Sequence, residues 1–310
     1  MLNILITGGC GFIGSHFINY MTQKYNYYNF YNIDILNYNS LINPIINRNN
    51  YEFIKGNIND YNLIVYLLLS KNIDTIVHFA AQSHVDNSFL EPLKYTEDNI
   101  KGTHTLLEAI KNSNINIKII HISTDEVYGE SQLNQDSKKE TDILSPTNPY
   151  AASKAAAEMI INSYIHSFNL QAIIIRSNNV YGKNQYPEKL IPKFINLLKN
   201  NEKCTIHGNG SALRSFIYID DVCSAIECIL NKGIIHEIYN IGSNCEISVL
   251  DVTKLLIDII KNDNNYQEYI QFIDDRPFND KRYFINNNKL LELGWTQTIN
   301  FNKETLSNLI

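Results

Sequence analysis

Apolar residues along this chain fall into short continuous runs, separated by stretches of helical period. Leu2 to Thr7 is the kind of run a fully buried strand makes, and Phe12 to Tyr25 carries a helical pattern. Further strands are predicted at Phe30–Asp34, Tyr51–Lys55, Thr75–Ala80, Ile117–Ser123 and Gln171–Arg176. Strands that alternate with helices pair in parallel, because each crossover returns the chain in the same direction. The pattern therefore predicts an α/β fold, a Rossmann-type doubly wound parallel sheet. Beyond about Gly182 the elements shorten and turns multiply. Residues 1–182 are expected to form the sheet domain that holds the reactive side chains. Residues 183–310 are expected to form mainly a smaller α/β lobe on the sheet's carboxyl edge, with strands free to cross back. No Pro- or Gly-rich linker and no internal repeat marks the boundary.

Composition narrows the picture. Hydrophobic residues make up 44% of the 310 and charged residues 19%, the profile of a chain that folds around a core. The net charge is −6 and no dense Lys/Arg cluster occurs. A nucleic-acid or anionic-membrane surface needs a basic footprint, so both are excluded as partners. Five cysteines without a CxxC pair read as reduced thiols; neither a disulfide framework nor a metal site is expected. The N-terminal run lacks a basic start and is too short to span a membrane, so the expected compartment is cytoplasmic.

The first predicted strand runs into Thr7-Gly8-Gly9-Cys10-Gly11-Phe12-Ile13-Gly14. In this GxxGxxG spacing, Gly8 and Gly11 let the backbone turn tightly and approach a pyrophosphate. Gly14 lets the helix pack close to the strand, and the phosphates meet free N–H groups at the helix's positive end. A tight turn without a ligand would use the same residues, but the strand–loop–helix context is the one a dinucleotide site requires. Asp34 ends the second strand about 20 residues on, where a carboxylate accepts both ribose hydroxyls. That charge repels a 2′-phosphate and no Arg lies nearby, so NAD is the expected cofactor.

Ser123-Thr124-Asp125-Glu126-Val127-Tyr128-Gly129 follows a strongly apolar strand. Two adjacent carboxylates and a threonine thus lie at the carboxyl edge of the sheet, where α/β ligand sites form. A helix N-cap or polar turn would use the same three residues, and taken alone the two readings stand open. Tyr150 and Lys154 sit at i, i+4 near the start of a predicted helix. An ammonium close to a phenol stabilises the phenolate and suits Tyr150 to act as a base.

Together these residues resemble the extended short-chain dehydrogenase/reductase family: the glycine trio, Tyr150-x-x-x-Lys154 and Asn99-Ile100-Lys101-Gly102-Thr103. Thr124-Asp125-Glu126 resembles the signature of its nucleotide-sugar 4,6-dehydratases. The stretches 78–86, 178–182, 187–192 and 275–283 agree, so the likeness covers nearly the whole chain. It is closest to the UDP-glucose 4,6-dehydratase type found as the first domain of plant rhamnose synthases and as stand-alone viral proteins. The resemblance implies conversion of UDP-glucose to UDP-4-keto-6-deoxyglucose. Tyr150 takes the 4-hydroxyl proton, Thr124 holds that hydroxyl, Glu126 takes the C5 proton and protonated Asp125 serves the departing 6-hydroxyl. It also implies cofactor contacts from Gly8, Gly11, Phe12, Ile13, Gly14, Asp34, Asn57, Ile58, Ala80, Ala81, Asn99, Tyr150 and Lys154. Substrate contacts are implied for Ser83, Asn179, Lys189, Leu190, Arg214, Arg276 and Tyr283. A salt bridge to Asp220 or Asp221 is the bland alternative for Arg214, and a core position for Tyr283. His84 and His121 are read as structural.

Two departures bear on specificity. Gly56-Asn57-Ile58 stands where the family often has Gly-Asp-Ile beside the adenine, so charge is lost there. Arg276-Pro277-Phe278-Asn279-Asp280 stands where dTDP-type enzymes usually read Arg-Pro-Gly-His-Asp, which favours UDP by resemblance. The alternatives are a dTDP-glucose 4,6-dehydratase, then a UDP-sugar 4-epimerase or decarboxylase, both disfavoured by the Asp125-Glu126 pair. A catalytically silent NAD-binding module is disfavoured by the intact Tyr150 and Lys154. The resemblance further implies a homodimer through the helices Glu97–Lys111 and Tyr150–His166. Ala151, Ala152, Ala155, Ala156 and Ala157 would permit close approach. Separate epimerase and reductase activities are expected to complete a route to a deoxysugar such as rhamnose.

Overall fold

The computed structural model describes residues 2–37, 40, 48–243, 245–275 and 280–310. Its core starts from the period-2 alternation of the first strand, β1 (Asn3–Thr7), which is buried on both faces. Ile4 and Ile6 join one apolar cluster and Leu5 joins another on the opposite side. Parallel sheets need this double burial, because crossover helices cover both faces. The helix α1 (Phe12–Lys24) covers the first face, while α2 (Tyr61–Ser70) belongs to the second. The strands β2 (Asn29–Asp34), β3 (Tyr51–Lys55), β4 (Thr75–His78), β5 (Lys118–Thr124) and β6 (Ala172–Ser177) complete the predicted set. Their ends fall within two residues of those read from the pattern.

The sheet has seven strands among the described residues, and all its ladders are parallel. From β1 the chain builds outward through β2 and β3, then returns to place β4 on the other side of β1. That reversal is the topological switch point, and it opens a crevice beyond the carboxyl ends of β1 and β4.

Helices α3 (Val85–Leu90), α4 (Pro92–Tyr95), α5 (Gly102–Ser113) and α6 (Pro149–Phe168) follow. The helix expected over Glu97–Lys111 is not uniform: Thr96–Lys101 forms a π-helix before α5 begins. Side-chain bonds hold Asn99 inside this widened turn. It accepts from the Gln82 N–H at 2.7 Å, and its amide donates to the Gln82 carbonyl at 3.0 Å and to Ser153 Oγ at 2.8 Å. Such single π-turns recur beside functional sites.

From Asn179 onward the chain serves two cores. One comprises β7 (Asn179–Tyr181), α7 (Leu190–Lys199), β8 (Cys204–His207) and β9 (Leu213–Tyr218), with residues further on. The chain then crosses back. Helix α8 (Ile219–Lys232) packs on α1, and β10 (Ile238–Ile241) pairs with β6 as the edge strand of the large sheet. The strand β11 (Glu246–Ser248) runs antiparallel to β9, the helix α9 (Val249–Ile260) covers the lobe, and β12 (Ile270–Ile273) pairs with β8.

Beneath the sheet's carboxyl edge lies an ion pair that composition does not announce. Arg176 on β6 meets Glu158 on α6 at 2.7 Å, with side chains 3% and 0% exposed. Glu158 also accepts from Ser123 Oγ at 2.5 Å, and Arg176 donates to the Tyr128 hydroxyl at 2.7 Å. Removing one partner strands the other charge in the core. Glu158→Ala is expected to cost about 3–5 kcal/mol. The double replacement Glu158→Leu with Arg176→Met should recover most of that loss, as urea unfolding will show.

Candidate active site

The glycine loop is shaped by steric exclusion. Gly8 has φ +71°, and a Cβ there would stand 2.6 Å from the Ala80 backbone. A Cβ on Gly14 would meet the Gly8 carbonyl oxygen at 2.5 Å. The loop therefore hugs β1 and β4, and α1 opens at Gly11 without a side-chain cap. Asp34 stands beside it, its carboxylate accepting from the Cys10 N–H at 3.0 Å and the Leu36 N–H at 2.9 Å. This cradle has room for backbone, phosphate and ribose but not for added side chains, so the residues fit a dinucleotide.

One cleft runs from that cradle to the end of β5. Gly8, Gly11, Phe12, Ile13, Gly14 and Asp34 line it, followed by Asn57, Ile58, Ala80 and Ala81. Thr124, Asp125, Glu126, Tyr150 and Lys154 line the same cleft further along. Asn99 does not; it lies buried behind the wall and orients the 82 segment. The Asn57 amide oxygen accepts from the Asn59 N–H at 2.9 Å, a local turn bond.

Thr124 ends β5 and caps the short 3₁₀ turn Asp125–Tyr128, accepting from the Glu126 N–H at 3.3 Å. The capping reading and the reactive reading thus coexist in one residue. Its hydroxyl also lies 3.2 Å from Asp125 Oδ1. Asp125 is buried; loss of water, then the Glu126 charge, raises its pKa to about 7, against bonds from Asn178 and Thr124. Burial raises Glu126 as well, while a 3.0 Å bond from Asn148 and the charges of Lys189 and Arg214 pull it down.

Tyr150 and Lys154 lie on α6, which Asn148 caps by accepting the Ala151 N–H at 2.8 Å. Burial, followed by the Glu126 charge, pushes the Tyr150 phenol far above its ordinary range. Lys154 Nζ lies 3.2 Å from His121 Nε2, and burial lowers the ammonium to about 8. His121 and its neighbour His78 are fully buried, and His78 binds Thr7 and Thr103 at 2.7 and 3.0 Å. His84 caps α3. These histidines hold structure, as their surroundings require.

The implied substrate residues divide. Ser83, Asn179, Lys189 and Leu190 line the cleft, and Lys189 bridges it by donating to the Ser83 carbonyl at 2.7 Å. Arg214 and Tyr283 are not among the lining residues. Arg214 donates to the Leu213 carbonyl at 2.8 Å, and its guanidinium lies 5.2 Å from the Tyr283 ring centre. Asp221 instead accepts from Thr298 and Ile299. Tyr283 is buried, its hydroxyl donating to Asp280. Arg276 lies outside the described residues, as do Phe278 and Asn279.

Several side chains at the site carry no strong sequence signal. Tyr186 stands over the glycine loop, its hydroxyl 3.3 Å from the Phe12 N–H. Asn148 and Asn178 bind the two carboxyl groups, and asparagine is too common in this chain to draw notice. Among the described residues no group of side chains could hold a metal ion, and no helix is long and apolar enough to cross a membrane.

Comparison with known proteins agrees with this geometry. A family model described as GDP-mannose 4,6 dehydratase matches residues 5–306. A dTDP-D-glucose 4,6-dehydratase of Dictyostelium discoideum is 47% identical, over 96% of this chain and 78% of that one. A trifunctional UDP-glucose 4,6-dehydratase, 3,5-epimerase and reductase of Arabidopsis thaliana is 46% identical over 96% of this chain. This chain spans about 45% of that protein's length. The crystal structure of a dTDP-glucose 4,6-dehydratase from Streptomyces venezuelae superposes with TM-score 0.92 at 34% identity, covering 99% of this chain and 95% of that one.

Gly14→Ala tests the cradle. The added methyl must displace the Gly8 carbonyl, an overpacking of about 1–3 kcal/mol. The protein should stay folded while NAD affinity, measured by calorimetry, falls roughly ten- to hundredfold.

Proposed function

The chain belongs to the GDP-mannose 4,6-dehydratase family, and within it we propose an NAD-dependent enzyme that converts UDP-glucose to UDP-4-keto-6-deoxyglucose. The observation that carries the reading is the Asp125–Glu126 pair, two carboxyl groups with different partners at the head of a dinucleotide cleft. NAD, when bound, supplies the hydride acceptor for C4 and the hydride donor for C6, so the sum is loss of water without net redox change. Tyr150 receives the proton of the 4-hydroxyl, which Thr124 holds in line. The 4-ketone acidifies C5, and Glu126 removes that proton. Asp125 protonates the departing 6-hydroxyl, a task suited to a carboxyl group whose pKa burial raises to about 7.

UDP as the nucleotide rests on Phe278-Asn279 and on the likeness to the plant enzyme. A second reading, dTDP-glucose, is favoured by the Dictyostelium relative. Incubation with each sugar nucleotide should give a product lighter by one water, with UDP-glucose turned over at least several times faster. A faster reaction with dTDP-glucose would reverse the nucleotide assignment. Glu126→Gln should slow water loss by roughly 100-fold or more. The acid works only while protonated, so kcat should decline as pH rises through about 7. A profile flat to pH 9 would exclude Asp125 as the donor.

We also propose a homodimer built on α5 and α6. Three of the five alanines, Ala151, Ala155 and Ala157, face the chain's own core; Ala152 and Met159 are exposed and Ala156 is half-buried. The docking face is therefore narrower than the alanine run implies. Light scattering should give twice the chain mass for the wild type. Ala152→Arg combined with Met159→Glu should shift it to the monomer.

A further inference from the structure

We propose that Asn178 is a positioning residue that selects which oxygen of Asp125 carries the proton delivered to the departing hydroxyl, an inference that rests on Asp125 being the acid. Asn178 lies just past β6 and is buried. Its Nδ2 donates to Asp125 Oδ2 at 2.7 Å, and its Oδ1 accepts the Ser243 backbone N–H at 2.9 Å. An asparagine amide is ordinarily ambiguous, because its oxygen and nitrogen look alike. Here the backbone resolves it. A peptide N–H only donates, so the atom facing Ser243 is the oxygen and the one facing Asp125 is the NH₂. The Asn178 N–H also donates to the Ile241 carbonyl at 3.0 Å, so the end of β10 and the residues just past it grip both ends of this residue. Flipping the amide would set donor against donor at Ser243 and acceptor against carboxyl at Asp125.

An NH₂ group offers hydrogens and no acceptor. The Asp125 oxygen it faces must therefore present a lone pair, since a hydroxyl there would point its hydrogen at a donor. Protonated Asp125 carries its hydrogen on Oδ1, the oxygen 3.2 Å from Thr124 Oγ1. The threonine hydroxyl, which donates to a bare Oδ1 and accepts the Glu126 N–H, turns to receive it. In the elimination, the proton leaves Oδ1 for the sugar's 6-oxygen and the C6–O bond breaks to release water. Glu126 takes the C5 proton, and the C5–H electrons become the C5=C6 bond. Other charge facing Asp125 comes from Glu126 on the same turn, Tyr150 on α6 and Arg214 on β9. Asn178 and Thr124 are the neutral donors among them.

Two near-isosteric variants separate this role from a structural one, read as the high-pH limb of kcat. Asn178→Leu removes the donor, so Asp125 holds its proton more tightly. The limb should move up by about one pH unit, with kcat lowered roughly tenfold. Asn178→Asp keeps an acceptor for Ser243 but sets a second carboxyl against Oδ2. The two carboxyls then share one proton between them, and Oδ1 is bare until a second proton binds. Its limb should move down by a unit or more. Opposite shifts support the proposal; shifts in one direction, or unmoved limbs in folded protein, overturn it. If the leucine variant does not fold, the direction of the aspartate variant decides alone. Asp125→Asn is the control: water loss at full rate there would refute Asp125 as the acid. A slow Asp125→Asn enzyme with unmoved Asn178 limbs would refute the Asn178 role alone.

Discussion

Charge can exist at the carboxyl edge of this sheet only where a fixed partner answers it. The strand ends that build the site are sealed by α6, the lobe and the 3₁₀ turn, and an ion removed from water there is destabilised by several kcal/mol unless it is paired or neutralised. Each ionisable group has settled that problem differently. Glu158 is paired with Arg176 and bonded to Ser123. Asp125 tends toward the neutral acid, with Asn178 as its partner. Burial raises Glu126 too, against Asn148, Lys189 and Arg214. Lys154 rests on a neutral imidazole. Adjacent carboxyl groups thus meet different partners.

Much of the large sheet was legible because its signal is local. Leu2–Thr7 and Ile117–Ser123 are continuous apolar runs, and burial on both faces leaves such runs no other place. The glycine loop was equally legible, since a missing Cβ is a steric fact recorded in the residue itself. Those features need no knowledge of distant chain. The π-turn was not legible: Asn99 looks like any polar helical residue until Gln82 and Ser153 are placed beside it. The return of α8 and β10 to the first core was open in the sequence for the same reason, because nothing in Ile238–Ile241 states which edge it will join.

At the site, legibility followed chemistry rather than importance. Acids, the tyrosine and the lysine are rare enough in such a pattern to be noticed, whereas Asn148 and Asn178 are not. Their roles come from what stands opposite them, across 22 and 53 residues of chain. Tyr283 shows the converse. An aromatic in a recognised segment suggested a stacking surface, but its hydroxyl is drawn to Asp280 and its ring lies near Arg214. The same segment's other implied contact, Arg276, lies outside the described residues.

The position of Lys154 links these points. An ammonium facing Tyr150 would favour a phenolate, which burial and the Glu126 charge oppose. Held 3.2 Å from His121, the lysine instead leaves the phenol protonated. His121 can serve as acceptor because burial keeps it neutral, and its pKa is lowered further by the lysine itself. The phenolate is thus disfavoured. The same desolvation raises both the Asp125 carboxyl and the Tyr150 phenol.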